Sequence, residues 1–128
     1  MFNVTAQTIR PIIPEAYGHN IDALSELLKR ARANGTQVIV YIPPLRQDFS
    51  PPYDPKQYTE FKTQIAELAA RNGARFVNVE TIVPPRFWGT KQSTQSGGGT
   101  ELDFMHYQGE GHRLLESALE PTIREALK

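Results

Sequence analysis

Residues 34–44, with the sequence NGTQVIVYIPP, decide the fold class of this chain. Residues 38–42 form an uninterrupted apolar run rich in β-branched side chains, which predicts a strand buried on both faces. Asn34 and Gly35 before it are typical of a helix that ends with a left-handed glycine. Pro43 and Pro44 after it end the strand, because proline cannot donate to a sheet ladder. The stretch therefore predicts a helix followed by a central parallel strand.

The segment upstream of residue 34 has the spacing of a helix. Asn20 is a reasonable N-cap for it. Its apolar stripe consists of Ile21, Leu24, Leu27, Leu28 and Ala31. Residues 1–19 are expected to be an extended N-terminal segment. Residues 2–6 and 9–13 are each compatible with extended chain, but Pro11 and Pro14 argue against a central strand.

The segment downstream repeats the arrangement. A second helix opens near Asp54 and Pro55, ends at residues 72–73 (Asn-Gly), and is followed by the strand sequence RFVNV at 75–79. Its apolar stripe consists of Tyr58, Phe61, Ile65, Leu68 and Ala69. A third helix begins at 109–111, with Pro121 expected to kink or restart it.

This alternation predicts a single α/β domain over residues 1–128. Its expected architecture is a parallel sheet flanked by helices, a flavodoxin-like three-layer sandwich, and it is incomplete because only two strands are evident. Residues 89–100 (GTKQSTQSGGGT) lack apolar anchors and are expected to form a slack connection, with a lid over a site as the alternative.

Composition narrows the possible functions. Fourteen basic residues balance fourteen acidic ones, so a nucleic-acid-binding surface is not expected. Cysteine is absent and the three histidines (19, 106 and 112) lack ligand spacing, so the sequence predicts neither a metal site nor a cofactor. Residues 38–42 are too few to span a membrane, and the first residues, MFNVT, do not read as a signal peptide. The cellular compartment stays undetermined.

The stretch DFMHYQGEGH at 103–112 carries the chemistry. An aspartate three residues before a histidine can accept a hydrogen bond from the imidazole Nδ1–H, which leaves Nε2 as a base. Asp103 and His106 are therefore candidates for the orienting and proton-transferring members of a hydrolytic triad. On the residues alone, the alternative stays open that Asp103 caps a turn and that His106 is an ordinary polar residue.

The same stretch resembles the last conserved block of the SGNH, or GDSL-type, hydrolases. That block has Asp-x-x-His, then a glycine eight residues after the aspartate, then a helix; here these are Asp103, His106 and Gly111. The order of helices and strands over residues 20–125 also resembles the second half of that fold. The resemblance implies an esterase or O-acyltransferase acting on a small ester or acyl substrate, with His106 as general base and Asp103 as its orienting residue.

The family's nucleophile block is missing from this chain. The resemblance implies a serine in a Gly-Asp-Ser block after the first strand, and no such block occurs here. Ser50 lies on a loop at the site end but lacks the strand-to-helix elbow that activates such a serine. We therefore expect the chain to be inactive alone, with the nucleophile supplied by a missing N-terminal half. The alternative function is a non-catalytic α/β domain that binds a ligand or a partner.

Three further residues are candidates for contacting a substrate. Arg46 follows the first predicted strand and is a candidate for holding an anionic substrate group, or is an exposed surface arginine. Trp88 and Tyr107 are candidates for lining a substrate pocket, or are packing residues.

The unpaired sheet edge also predicts self-association of the chain, as a homodimer or larger oligomer.

Overall fold

The parallel strand pair predicted from residues 38–42 and 75–79 forms the centre of the structure. The structure is a computed structural model, and it describes residues 8–93 and 98–128. Strand β1 (Ile39–Ile42) pairs in parallel with β2 (Arg75–Asn78), with Ile39 opposite Arg75. Helix α1 (Pro14–Ala33) precedes β1, and helix α2 (Pro55–Arg71) connects the two strands and packs on both. The predicted parallel pairing is confirmed. Residues 2–6 lie outside the described part of the chain.

Both helix endings were predicted correctly. Asn34 and Asn72 are the C-cap residues of α1 and α2. Gly35 and Gly73 follow with φ of 68° and 71°, a region where an L side chain would be strained. At its start, α2 also follows expectation, because the Asp54 side chain accepts a hydrogen bond of 2.9 Å from the Gln57 N–H.

The start of α1 was predicted wrongly. The helix begins at Pro14 with Ile13 as N-cap, so Asn20 lies inside it and caps nothing. Residues 14–19, expected to be extended, are helical. Pro14 at the first helical position explains the difference, because its fixed φ suits a helix start and the N–H that it lacks needs no partner there. Residues 8–13 are non-helical, with one parallel bridge between Arg10 and Tyr53.

Residues 88–92 and 100–107 form a second, antiparallel sheet. A single 3-10 turn (Pro85–Phe87) leads into β3 (Trp88–Gln92), which pairs with β4 (Thr100–Tyr107). The expectation of a slack connection over 89–100 was therefore wrong for residues 89–92 and for Thr100. The polar sequence of β3 does not predict a strand, and β3 forms because the longer strand β4 pairs with it. Residues 94–97, the central part of the segment that was the alternative lid, lie outside the described residues.

Helix α3 (Gly109–Ala126) packs against β4 and the 3-10 turn. It continues through Pro121, so the predicted restart does not occur. The proline is exposed, while Leu115 and Leu119 in the turns before it are half-buried. Proline removes one helical hydrogen bond, and packing of the preceding turns offsets that loss.

The core of the described residues is small, and one side of the parallel pair is open. The buried apolar residues are Leu28, Ile42, Ile65, Ala69, Val79, Val83 and Trp88. Strand β1 has β2 as its only strand neighbour within residues 8–93 and 98–128. An apolar groove of about 560 Å³ lies between α1, β1 and α2, with Leu24, Val40 and Phe61 among its lining residues. The molecule is thus a mixed α/β structure with two small sheets.

Candidate functional site

The candidate dyad lies on a bulge in β4. Trp88 pairs with Tyr107 and Thr90 pairs with Leu102, so the single residue Gly89 lies opposite residues 103–106. Four residues facing one break the regular ladder and bend the longer strand outward. Asp103 and His106 are the first and last residues of this extra segment. The β-bulge therefore places both side chains at one irregular point of the hairpin.

Asp103 stabilises the bulge with its own carboxylate. Its Oδ1 accepts hydrogen bonds from the backbone N–H of Met105 at 2.8 Å and of His106 at 3.0 Å. The residue is only 6% exposed. Burial alone would raise the pKa of this carboxyl, but the Met105 N–H, the imidazole and the His106 N–H together outweigh burial and lower the pKa below its ordinary value. Asp103 is therefore held as a carboxylate at neutral pH.

His106 forms the hydrogen bond expected of a dyad. Its Nδ1 lies 2.9 Å from Asp103 Oδ2 and 3.2 Å from Oδ1. A carboxylate can only accept, so Nδ1 carries the hydrogen and Nε2 of the neutral ring carries the lone pair. The imidazole is 79% exposed. The pair thus presents an oriented base at the surface, and His106 is not among the lining residues of the cavities of about 560, 990, 160 and 110 Å³.

Arg46 is buried beneath the bulge, and the interpretation as an exposed surface arginine was wrong. Its side chain is 8% exposed. Nη1 donates to the carbonyl oxygens of Gly89 at 2.8 Å and Asp103 at 3.4 Å, and Nε and Nη2 donate to the two carboxylate oxygens of Asp48. All three guanidinium nitrogens are therefore engaged within the chain. The alternative role of holding an anionic substrate group stays a prediction.

Trp88 and Tyr107 pack the base of the bulge. Trp88 is buried, donates from Nε1 to the Val83 carbonyl at 3.2 Å, and meets the Tyr107 ring edge-on at 5.2 Å between centroids. Tyr107 is half-buried and also contacts the His112 ring. In this arrangement both aromatic residues have the packing role that was the alternative to lining a substrate pocket.

The glycine eight residues after Asp103 has a steric explanation. A Cβ built on Gly111 would lie 2.7 Å from Cδ2 of Tyr107. No real Cβ approaches an atom so closely, so the first turn of α3 can rest on the Tyr107 ring only if this position lacks a side chain. Gly111 thereby allows the first turn of α3 to pack on Tyr107, the residue that follows His106.

A polar cluster at the end of β2 was not found from the sequence. Lys62 Nζ lies 2.8 and 3.1 Å from the two carboxylate oxygens of Glu80, and Asn78 Nδ2 donates to the same carboxylate at 2.6 Å. Burial raises the pKa of the neighbouring Tyr58 phenol, and the Glu80 charge raises it further.

The Glu80 backbone carbonyl accepts from Leu45 N–H at 2.9 Å and from Gln47 Nε2 at 3.1 Å. This cluster anchors the loop that carries Arg46. Lys62 and Glu80 are 18 residues apart, so local spacing gives no signal for it.

No serine of residues 8–93 and 98–128 lies in a strand-to-helix elbow. Ser25 and Ser117 lie in α1 and α3, and Ser93 follows β3. Ser50 is exposed on the loop between β1 and α2, with no strand-to-helix elbow at its position. Ser96 lies outside the described residues. Over residues 8–93 and 98–128 there is also no group of three or more His, Cys, Asp or Glu side chains placed to hold a metal ion.

In the part of the chain that the structure describes, no helix is both long enough and apolar enough to span a bilayer. Comparison of the chain with protein-family models, with curated proteins and with solved structures found no match. The geometry of the bulge is therefore the basis for assigning a function.

Proposed function

We propose that this chain is the C-terminal portion of an SGNH-like esterase or O-acyltransferase and that it contributes the acid-base dyad. The observation that carries the proposal is the buried Asp103 carboxylate bonded to Nδ1 of an exposed His106 at 2.9 Å. Burial of the aspartate and exposure of the imidazole are what a triad needs, because the orienting group must stay charged and fixed while the base must reach a substrate.

In the proposed reaction, His106 acts on a serine that this chain does not provide. Nε2 takes the proton from the serine hydroxyl as its Oγ bonds to the carbonyl carbon of an ester. The same proton then passes to the leaving alcohol as the carbon–oxygen bond of the ester breaks. Water or an acceptor alcohol releases the acyl group by the same steps in reverse. Asp103 stabilises the imidazolium that forms in each half.

The proposal includes a completed three-layer sheet. The free edge of β1 and the apolar groove beside it are where further parallel strands would add. A strand preceding α1 in such a sheet would end at the same edge as β1, since carboxyl ends of parallel strands align, and a serine after it would be near the bulge. An upstream segment of the same protein or a separate chain would supply this half.

The second candidate is a non-catalytic α/β domain that binds a partner or an apolar ligand. The groove of about 560 Å³ favours it, because its lining is mainly aliphatic and aromatic and it is open to solvent. Under this alternative the Asp103–His106 bond only stabilises the bulge. The two candidates differ in whether a serine becomes reactive in a His106-dependent way.

The deciding experiment begins with the coding DNA upstream of Met1 and in adjacent genes, where we expect a strand followed by Gly-Asp-Ser. The chain is then produced together with that segment and treated with a fluorophosphonate probe and p-nitrophenyl acetate. His106→Ala should lower turnover by about 10²–10⁴-fold, the usual contribution of a general base. His19→Ala is the matched control, since it removes an exposed histidine on α1 that is not part of the hairpin. Turnover that survives His106→Ala unchanged would rule the proposal out.

The chain on its own gives a second test. Without a serine elbow and oxyanion donors, we expect no fluorophosphonate labelling and only background ester hydrolysis. Robust turnover that is abolished by Ser50→Ala would instead identify Ser50 as the nucleophile and contradict the proposed division of the site between two segments.

A further inference from the structure

We infer that Arg46 is a positioning residue that holds the β4 bulge in the shape required by the Asp103–His106 dyad. The inference deepens the proposed function and rests on it for its catalytic meaning. Its structural content is the placement of one buried guanidinium group between the two strands of the hairpin. Arg46 touches neither the imidazole nor, through any hydrogen bond, the Asp103 carboxylate.

The first step is the gap in the ladder. Because residues 103–106 have only Gly89 opposite them, the regular β3–β4 pairing is interrupted there. Carbonyl groups at such a gap need donors from elsewhere, since a buried unpaired carbonyl is costly. Arg46 Nη1 donates to the carbonyl of Gly89 on one strand and to that of Asp103 on the other. One nitrogen thus bridges the two strands at the point where their regular pairing is interrupted.

The second step is the fixed orientation of the guanidinium. The Asp48 carboxylate binds it in a bidentate manner, at 2.8 Å to Nε and 3.0 Å to Nη2. The Phe49 ring lies below it, with its centroid 5.4 Å from the Arg46 Cζ atom. A planar fork held on one edge by a carboxylate can point its remaining edge in only one direction. That direction is the bulge.

The third step is the anchoring of the loop. Leu45 N–H and Gln47 Nε2, on either side of Arg46, both donate to the Glu80 backbone carbonyl after β2. The Glu80 side chain is in turn held by Lys62. The arginine is therefore tied to the parallel strand pair, and its Nη1 connects that pair to the hairpin. Through these contacts the parallel sheet sets the position of the dyad.

The consequence for the dyad runs through the Asp103 backbone. If its carbonyl is released, the residue can rotate, and Oδ1 no longer meets both the Met105 and the His106 N–H groups. The Nδ1 bond to the same carboxylate then loses its fixed acceptor. Substituting lysine keeps the positive charge but cannot bind Asp48 in a bidentate manner and reach two carbonyls at once. Arg46→Lys therefore separates geometry from charge.

The test uses the full chain with ¹⁵N- and ¹³C-labelled histidine and aspartate side chains. Ring-nitrogen NMR spectra measure the His106 tautomer, and carboxyl ¹³C shifts followed over pH measure the Asp103 pKa. In the wild type we expect the Nδ1–H tautomer to exceed the other by about tenfold, the factor that one charge-assisted hydrogen bond provides. In Arg46→Lys this excess should fall severalfold and the Asp103 pKa should rise towards its ordinary value. Arg113→Lys, on the exposed face of α3, should change neither.

Each outcome decides a different statement. An Arg46→Lys chain that folds and keeps both the tautomer excess and the low Asp103 pKa would overturn the positioning role and leave the dyad intact. A wild-type chain without the tautomer excess would instead count against the proposed function. If Arg46→Lys does not fold, Asp48→Asn replaces it, because it keeps the arginine and weakens only its orientation. Asp48→Asn should then give a smaller shift in the same direction, and no shift would overturn the inference.

Discussion

The bulge in β4 and the groove beside β1 differ in how far their groups find partners within the chain. At the bulge, side chains from the post-β1 loop and β4 satisfy the irregular backbone through named hydrogen bonds, and Trp88 and Tyr107 pack its base. At the groove, apolar side chains from α1, β1 and α2 line an open space, and the edge of β1 has no strand beside it in the described residues. The bulge is thus hydrogen-bonded within the chain, while part of the apolar surface beside β1 is uncovered. Under the proposed function, a further segment would cover that surface and supply the nucleophile.

The largest effect on stability is expected from removing the packing below the bulge. Trp88→Ala deletes a buried ring that contacts Tyr107 and donates to the Val83 carbonyl. We expect a loss of about 3–5 kcal/mol in the free energy of unfolding, as for other buried aromatic residues replaced by alanine. Urea denaturation followed by circular dichroism measures it. Trp88→Phe, which keeps most of the volume, should lose clearly less; equal losses would show that packing at this position is unimportant.

A smaller effect is expected at the contact between α3 and the bulge. Gly111→Ala forces a methyl group against the Tyr107 ring, and we expect it to cost about 1–3 kcal/mol, as overpacking usually does. Gly109→Ala is the matched control, because a Cβ there meets nothing within 4 Å. Thermal unfolding of both variants gives the comparison. A Gly111→Ala chain as stable as the control would mean that the ring moves aside freely.

The Asp103 carboxylate predicts a pH dependence of stability. Its pKa is lowered in the folded chain, because the Met105, imidazole and His106 hydrogen bonds outweigh the effect of burial. The unfolded chain, with an aspartate pKa near 3.9, therefore takes up the proton first as the pH falls. The stabilisation is fully present above about pH 4 to 5 and is lost as the pH drops through the folded-state pKa.

Asp103→Asn measures this contribution. We expect the variant to be less stable than the wild type by about 1 kcal/mol at pH 7, with the difference shrinking below pH 4. Asp22→Asn, on the exposed face of α1, is the control for removing a surface carboxylate. A difference that stays constant from pH 7 to pH 2.5 would mean that Asp103 does not titrate as proposed.

At the groove, we expect almost no effect on stability but a clear effect on assembly. Tyr41, which lines the groove from the free edge strand, is 40% exposed. Its replacement by lysine should change the free energy of unfolding by less than about 0.5 kcal/mol, the usual range for surface substitutions. The isolated chain should self-associate at low micromolar concentration, and Tyr41→Lys should weaken this association, because charge on an edge strand opposes pairing.

Light scattering decides the assembly prediction. Leu127→Lys, at the 82% exposed end of α3, removes apolar surface from a residue that does not line the groove and should leave the association unchanged. A wild-type chain that is strictly monomeric and well folded would show that the open edge tolerates water, and the expectation of self-association would fail.

Local patterns predicted the elements whose ends are set by local chemistry. The two Asn-Gly endings, the Asp54 cap and both parallel strands follow from residues that are neighbours in sequence. The Asp103–His106 bond was also predictable, because a spacing of three lets one carboxylate reach the ring and the N–H groups of its own turn.

What failed depends on distant residues. Strand β3 has no alternating apolar pattern and exists because β4 pairs with it. Arg46 is buried because carbonyls 43 and 57 residues away converge on its guanidinium. Those acceptors are too distant in sequence to be recognised from the residues around Arg46, so an arginine after a strand was interpreted as a surface residue. The start of α1 was a local error, in which Asn20 was weighted above the proline at position 14.

The unequal exposure of the two dyad members has a consequence for when the pair is effective. With its imidazole in water, His106 interacts with Asp103 across a partly high-dielectric medium, which weakens the attraction between the carboxylate and a protonated ring. A surface that closed over His106 would expel that water and strengthen every electrostatic interaction at the site. The buried carboxylate already supplies the negative charge that a covered imidazolium requires. Under the proposed function, docking of the missing segment would therefore strengthen the coupling between the two side chains, so that assembly itself would act as the activating step.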